Sequence, residues 1–151
     1  MIKRKVAVGG TFEPLHDGHK ALLKKAYELG DVYIGLTSDA MAKRRYRDVL
    51  PYGRRKQILE QYIRREFGVQ ANIFELRDPY GPAISEHFDH IVVSPETHSM
   101  AEKINRIRAN RGFSSIDIIK IDFVLAQDGK PISATRIKNG EIDEHGVLLQ
   151  K

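Results

Sequence analysis

The sequence predicts an α/β domain built on an open, doubly wound parallel sheet of five strands. Three observations predict this fold. Apolar runs of β type alternate with helical patterns along the chain, a glycine pair closes the first apolar run, and a helical pattern follows that pair directly. With 151 residues, of which 41% are hydrophobic and 30% charged, the chain has the size and composition of one globular domain. We therefore expect a single domain over residues 1–151.

The first 37 residues predict a β-α-β unit. Residues 4–9 form an apolar strand, and residues 20–29 have the spacing of an amphipathic helix that ends at Gly30. Residues 31–37 form the second strand. Because the helix carries the chain back to the start of the sheet, we expect the two strands to pair in parallel.

Two helices and a third strand are expected next. Ser38 is a typical cap for a short helix that carries Lys43. A break at residues 51–53 precedes a longer helix, and residues 71–76 form the third strand. The apolar residues of the longer helix fall at helical spacing: Ile58, Leu59, Tyr62, Ile63 and Phe67.

The second half of the chain predicts two more strands. Residues 91–93 form the fourth strand, a helix extends to about Arg108, and residues 117–124 form the fifth strand. Residues 141–151 are expected to form a short polar helix over the edge of the sheet. The alternation predicts a Rossmann-like arrangement, in which ligands bind beyond the carboxyl ends of the strands.

Charge and composition narrow the class of function. A net charge of +5 and a pI near 9.5 favour anionic partners such as nucleic acid or phosphorylated metabolites. The absence of cysteine excludes disulfides and thiolate metal sites. No apolar run approaches the length of a signal peptide or a membrane span, so we expect a cytoplasmic protein without a membrane partner.

The turn after the first strand has the features of a phosphate site. Gly9 and Gly10 let backbone N–H groups approach a ligand closely, and the following helix directs its positive end to the same place. His16 and His19 stand at the start of that helix, where an imidazole can donate to a phosphate oxygen. The alternative interpretation is a plain turn followed by two surface histidines.

A second anion site is predicted near the end of the chain. Ser133 is a good N-cap, which places Thr135 and Arg136 in the first turn of a helix with a hydroxyl and a guanidinium near free N–H donors. The alternative interpretation is an ordinary capped helix with a solvated arginine.

These two stretches resemble the signatures of the nucleotidyltransferase superfamily. Residues 10–19 are similar to its G-T-F-x-x-x-H-x-G-H motif. Residues 131–137 are similar to the I-S-S-T-R-I motif that holds the phosphates of ATP, with Ala134 in place of the middle serine. Members of this superfamily join a nucleotide to a phosphate or carboxylate and release pyrophosphate.

Three further stretches resemble the phosphopantetheine adenylyltransferases of archaeal and eukaryotic type. They are residues 78–83, 92–97 and 104–108, in the order in which that family has them. His16 supports the same branch, because the bacterial enzymes of this activity usually carry threonine there.

The resemblance implies attack by the phosphate of 4′-phosphopantetheine on the α-phosphorus of ATP, with Mg²⁺ accompanying the triphosphate. His19 and Thr11 would strengthen their contacts in the transition state, and Lys43 would bridge the phosphates of the two substrates. The residues implied to hold ATP are Gly9, Gly10, Phe12, His16, Ser133, Thr135 and Arg136. Leu76 and Arg77 are candidates for the pantetheine pocket. No carboxylate cluster identifies a protein-borne metal site.

Several alternatives stay open at this point. Another phosphorylated small molecule could be the acceptor for the same type of transfer. A nucleic-acid binding module would use the basic runs, although it has no use for paired histidines at a helix start. Lys43 lies in such a run and could face solvent. The arginines of the fourth helical region could reach the triphosphate or face water: Arg106, Arg108 and Arg111.

Overall fold

A computed structural model describes residues 3–149 of the chain. These residues form one parallel sheet of five strands, as predicted, in the order β3-β2-β1-β4-β5. The strands are β1 (Lys5–Gly10), β2 (Asp31–Thr37), β3 (Asn72–Leu76), β4 (His90–Val93) and β5 (Asp117–Lys120). The chain starts in the middle of the sheet, builds outward to β3, and then crosses to β4 and β5 on the other side of β1.

Helices connect the strands and cover both faces of the sheet. They are α1 (Asp17–Leu29), α2 (Asp39–Arg45), α3 (Tyr52–Phe67), α4 (His98–Asn110) and α5 (Ala134–Lys138), with a short 3₁₀ helix at Gly81–Ile84. Among residues 3–149, no helix is both long enough and apolar enough to cross a bilayer.

Alternating residues of β1 bury opposite faces of the sheet. Val6 and Val8 belong to the cluster that contains the apolar residues of α1 and α3. Ala7 belongs to the cluster that contains Ala101 and Ile104 of α4. This alternation is the period of two that strand geometry imposes. Since both faces are covered, a ligand reaches the sheet at the ends of its strands.

Most predicted strand boundaries are within one residue of the observed ones, but the fifth strand is shorter than predicted. The fifth strand ends at Lys120 instead of residue 124, because the chain leaves the sheet after Ile121 donates to the carbonyl of Val93 (2.9 Å). The chain then forms an isolated antiparallel bridge between Leu125 and Pro131.

The predicted polar helix over residues 141–151 is wrong for the described part of that segment, residues 141–149. Here the chain forms a turn, closed by an antiparallel bridge between Ile142 and Leu148. The Asp143 carboxylate accepts the N–H groups of His145 and Val147, both at 2.9 Å. Such local bonds from an aspartate compete with helical ones. Residues 150–151 lie outside the described part of the chain.

Candidate active site

The loop after β1 begins with a tightly packed pair, Gly10 and Phe12. Phe12 is 2% exposed and adopts a φ of +52°, a region that side chains larger than glycine rarely enter. A Cβ on Gly10 would lie 3.2 Å from the Phe12 ring. The small residue before the turn therefore lets the phenyl ring fold back under the loop, where its centroid lies 5.0 Å from that of the His19 ring.

His16 and His19 hold each other in place through the backbone. His16 is the N-cap of α1, and its Nδ1 accepts the N–H groups of Gly18 (3.0 Å) and His19 (3.4 Å). In return, the N–H group of His16 donates to Nδ1 of His19 (3.3 Å). Because each Nδ1 accepts a hydrogen bond, each neutral ring carries its proton on Nε2. The pair therefore offers two Nε2–H donors.

Both imidazoles are neutral at neutral pH. Burial lowers the pKa of His16 from 6.5 to about 4, and the carboxylate of Asp17 opposes this in part. Burial also lowers the pKa of His19 well below 6.5, the adjacent His16 adds to the effect, and a hydrogen bond with the backbone of Pro14 opposes it in part. The two rings can donate hydrogen bonds to a phosphate without carrying a charge in the free protein.

The N–H groups in the first turn of α1 are already bonded within the protein. The N–H of Asp17 donates to the carbonyl of Glu144 (3.0 Å), and those of Gly18 and His19 donate to His16. These three N–H groups therefore have acceptors within the protein, so the side chains of the site are the stronger candidates to hold a phosphate, with the helix dipole as a favourable background.

A cavity of about 150 Å³ at the carboxyl ends of the strands brings the two signatures together. Its walls include seven predicted site residues: Gly9, Gly10, Thr11, Phe12, His16, His19 and Ser133. We call it the polar cavity, because polar groups form a larger share of its walls than of those of the second cavity described below. Ser133 caps α5 by accepting the N–H of Arg136 (3.2 Å). Two turns that are distant in the chain thus line one cavity.

A second cavity, of about 250 Å³, adjoins the first. We call it the apolar cavity, because its walls are mostly hydrophobic side chains such as Phe74, Leu76 and Ile104. Five residues line both cavities: Gly9, Gly10, Thr11, Arg45 and Thr97. A ligand in one cavity therefore meets a ligand in the other at the end of β1.

Four predicted site residues line neither cavity: Lys43, Arg77, Thr135 and Arg136. Lys43 and Thr135 are exposed on α2 and α5, respectively. Arg77 is exposed and pairs with Glu75 (3.0 Å). The guanidinium of Arg136 bonds to the Asp128 carboxylate. Their roles as substrate contacts stay predictions, and each would require the side chain to leave its present position.

Arg108 differs from both alternatives that the sequence left open, because its side chain neither reaches the site nor faces water. It is 3% exposed, and its guanidinium donates to three carbonyl groups that hold the loops around the 3₁₀ helix. The acceptors are Ala83 (2.9 Å), Glu86 (2.7 Å) and Ser114 (2.7 Å). Arg108 is therefore a structural residue.

Sequence reasoning missed two arginines near the site. Arg45 lines both cavities and pairs with Glu96 across their mouth (3.6 Å). Arg55 is buried beneath the loop that carries Thr11. A signal for Arg55 exists in the sequence, because it stands four residues before Leu59, on the apolar face of α3.

The carboxylates near the polar cavity do not form a metal centre. Glu13, Glu96 and Asp122 line it, but residues 3–149 contain no group of three acidic, histidine or cysteine side chains suited to hold an ion. Glu13 is engaged by Lys138 (2.6 Å) and by the N–H of Leu50 (3.0 Å). A divalent ion at this site would therefore depend on ligands from a bound phosphate.

A doubly wound sheet with two imidazole donors and a capping serine around one cavity defines a nucleotidyltransferase. The sequence model of the cytidylyltransferase-like family matches residues 7–140. A phosphopantetheine adenylyltransferase from Archaeoglobus fulgidus is 50% identical over 147 residues, which cover 96% of this chain and 99% of that protein. One from Methanosarcina barkeri is 51% identical, over 95% of this chain and 92% of that protein. The chain belongs to the cytidylyltransferase-like family and, within it, to the phosphopantetheine adenylyltransferases.

A solved structure agrees with the fold. A protein of unknown function from Archaeoglobus fulgidus superposes with a TM-score of 0.77 and 48% sequence identity, covering 78% of this chain and 89% of that one.

Proposed function

We propose that this chain transfers the adenylyl group of ATP to 4′-phosphopantetheine, giving dephospho-coenzyme A and pyrophosphate. The observation that carries this proposal is the pair of adjoining cavities, one polar and one apolar, which meet at Gly9, Gly10 and Thr11. A phosphoryl transfer between two bound substrates needs this kind of shared wall, because the reacting atoms must lie about 3–3.5 Å apart.

ATP would occupy the polar cavity. The Nε2–H groups of His16 and His19 are donors of the kind that phosphate oxygens accept, and Ser133 adds a hydroxyl from the second signature. Since both imidazoles are uncharged, their burial costs less than that of two cations would. Mg²⁺ would enter with the triphosphate and offset its charge, with Glu96 or Asp122 close enough in the lining to contact its water ligands.

The acceptor would occupy the apolar cavity. Pantetheine is a flexible arm with apolar stretches, and Leu76 and Phe74 provide matching walls. Its phosphate would lie against the shared wall, near Thr11. Leu76 lines this cavity, which supports its predicted role, while Arg77 does not line it, pairs with Glu75 and would have to move to contribute.

The chemistry is an in-line substitution at the α-phosphorus. An oxygen of the acceptor phosphate forms the new bond, the bond from the α-phosphorus to the bridging oxygen breaks, and pyrophosphate leaves with that electron pair. The nucleophile is ionised at neutral pH, so the protein need not supply a base. The site residues act by orienting two anions and by donating hydrogen bonds to the oxygens that gain charge, chiefly from His19 and Thr11.

The cation that spans both substrates is either Arg45 or Lys43. Arg45 lines both cavities, whereas Lys43 is exposed on the same helix. We therefore assign Arg45 as the first candidate and keep Lys43 as the sequence-based one. Comparison of Arg45→Ala with Lys43→Ala separates them, because loss of the bridging cation should raise KM for both substrates.

The assay that tests the function is pyrophosphate release from ATP with a panel of acceptors. 4′-Phosphopantetheine should give saturable release, and mononucleotides or polyol phosphates should give none above background. Saturable release with one of those acceptors and none with 4′-phosphopantetheine would assign the chain to another transfer reaction of the same type.

A further inference from the structure

The guanidinium of Arg55 lies completely buried under the wall that the two cavities share. Its side chain is 0% exposed, and each nitrogen has an acceptor. Nε donates to the carbonyl of Leu50 (2.8 Å), Nη2 to Asp39 (3.2 Å), and Nη1 to the carbonyl of Thr11 (3.4 Å) and to Oγ1 of Thr37 (3.2 Å).

Burying a guanidinium at this position costs more free energy than burying an apolar side chain of similar volume would. Its carboxylate partner, Asp39, is 44% exposed and so remains partly solvated, while the guanidinium has lost its water. A buried ion pair often stabilises a fold no better than apolar side chains of equal volume do. The position of Arg55 on the apolar face of α3, next to Leu59 and Ile63, makes an apolar residue the simpler solution for stability alone.

A chain of hydroxyl groups leads from Arg55 to the site. Oγ1 of Thr37, which accepts from Arg55, lies 2.9 Å from Oγ1 of Thr11. The positive charge draws a lone pair of the Thr37 oxygen toward Arg55 and thereby favours the orientation in which its proton points to Thr11. The proton of Thr11 is then free to point elsewhere, and Thr11 lines both cavities.

We propose that Arg55 is a positioning residue that acts through Thr37 and turns the Thr11 hydroxyl into a hydrogen-bond donor toward the phosphates. The inference rests on the proposed function for the identity of the ligand, but the preference for this direction of the hydroxyl chain rests on the contact of Arg55 with Thr37 and that of Thr37 with Thr11. This role gives the buried charge a function. Without Arg55, the two threonines could share their protons in the opposite sense equally well. Thr11 would then present only lone pairs to an anion.

Thr37 offers the sharpest test, because its hydroxyl links Arg55 to Thr11, and Nη1 of Arg55 keeps the carbonyl of Thr11 as an acceptor when that hydroxyl is removed. Thr37→Val keeps the shape and removes the hydroxyl, so kcat/KM should fall about 10-fold, the change expected for one hydrogen bond worth about 1.4 kcal/mol. Thr37→Ser restores the hydroxyl and should recover most of the activity. The isosteric Thr11→Val should cost at least as much as Thr37→Val.

Coupling between the residues distinguishes a hydroxyl chain from a loss of packing. In a Thr11→Val background, Thr37→Val should cost no further activity, since the group it orients is already gone. Arg55→Lys lowers stability as any change at a buried site does, so it is assayed well below its Tm. Its effect on kcat/KM should likewise disappear in the Thr11→Val background.

The outcomes are decisive in both directions. Additive effects of Thr11→Val and Thr37→Val, or a Thr37→Ser variant no better than Thr37→Val, would overturn the proposal. The assay uses whichever acceptor supports turnover by the unmodified chain, so inactivity with 4′-phosphopantetheine alone contradicts the proposed function and not the hydroxyl chain. If no acceptor supports turnover, the same coupling is measured in the calorimetric affinity for ATP, where additivity again overturns the proposal.

Discussion

The imidazole rings of His16 and His19 are stacked, with centroids 3.7 Å apart and planes inclined by 19°. Each ring accepts the backbone N–H of the other residue, at 3.4 Å for His16 and 3.3 Å for His19. The spacing of three residues in the signature is thus the spacing of a reciprocal cap at the start of α1. The same bonds that begin the helix also fix the tautomer of both rings, so the start of α1 and the orientation of the two proposed phosphate donors depend on the same atoms.

Replacement of His19 tests its part in the chemistry. His19→Ala should lower kcat by about 10²-fold or more, the usual cost of removing one preorganised donor to a developing charge, with little change in KM for ATP. His87→Ala is the matched control, because His87 is exposed, pairs with Asp89 and lines neither cavity. Steady-state pyrophosphate release measures both. Near-normal turnover by His19→Ala would remove this residue from the transition state.

His16 should make the fold sensitive to acid. Above pH 6.5 His16 is neutral in both the folded and the unfolded states. Below that pH the unfolded state binds a proton, whereas the folded state does not bind one until about pH 4. The free energy of unfolding should therefore fall as the pH drops through this window, by at most about 1.4 kcal/mol per pH unit for each such histidine.

His16→Asn isolates this contribution. The Asn amide oxygen can accept the same N–H groups as Nδ1, so the helix cap is kept while the titration is lost. Urea denaturation between pH 5.0 and 7.5 should give a shallower fall in stability for the variant than for the unmodified chain. Parallel pH profiles would show that His16 is not held neutral by burial.

Gly35 tests the assignment of the apolar cavity to the acceptor. A Cβ on Gly35 would lie 2.6 Å from Cγ of Leu76, so Gly35→Ala must push this side chain into the cavity. KM for 4′-phosphopantetheine should rise about 10-fold, and KM for ATP should stay within about twofold. Gly53→Ala is the control, because nothing lies within 4 Å of the added carbon. Equal rises in both KM values would contradict the assignment.

Gly146 tests the turn that holds the C-terminal segment against the second signature. It has a φ of +82°, and a Cβ would lie 2.7 Å from the backbone Cα of Ala126. Gly146→Ala should cost about 2–4 kcal/mol of stability, from backbone strain plus overpacking. Gly129→Ala shares a positive φ of +79° but has open space, so it should cost only about 1 kcal/mol. Equal losses in urea denaturation would contradict the packing part of this account.

Local patterns predicted most of the fold. The strands β1 and β2 and the helix α3 were readable because their apolar residues repeat at the periods of strand and helix. The C-terminal segment could not be predicted from such a repeat. Its turn depends on hydrogen bonds from nearby backbone N–H groups to the Asp143 carboxylate and on the fit of Gly146 against Ala126.

The site was predicted at the level of segments, and less well at the level of side chains. The spacing of the motif identified the loop with His16 and His19. It did not indicate that the N–H of Asp17, in the first turn of α1, donates to the carbonyl of Glu144. That contact joins residues 127 positions apart in the chain, so no local pattern can indicate it. For the same reason Arg45 could not be preferred to Lys43, since helix orientation relative to the sheet decides which of them lines the cavities.

The most direct measurement is a crystal structure of the chain with a nonhydrolysable ATP analogue. The account predicts one nucleotide in the polar cavity, with its α-phosphate at about 2.7–3.2 Å from Nε2 of His19 and another part of its triphosphate bonded to Ser133. A nucleotide that contacts His19 but not Ser133, or that occupies the cavity of Leu76 instead, would contradict the central claim that two distant turns share one triphosphate.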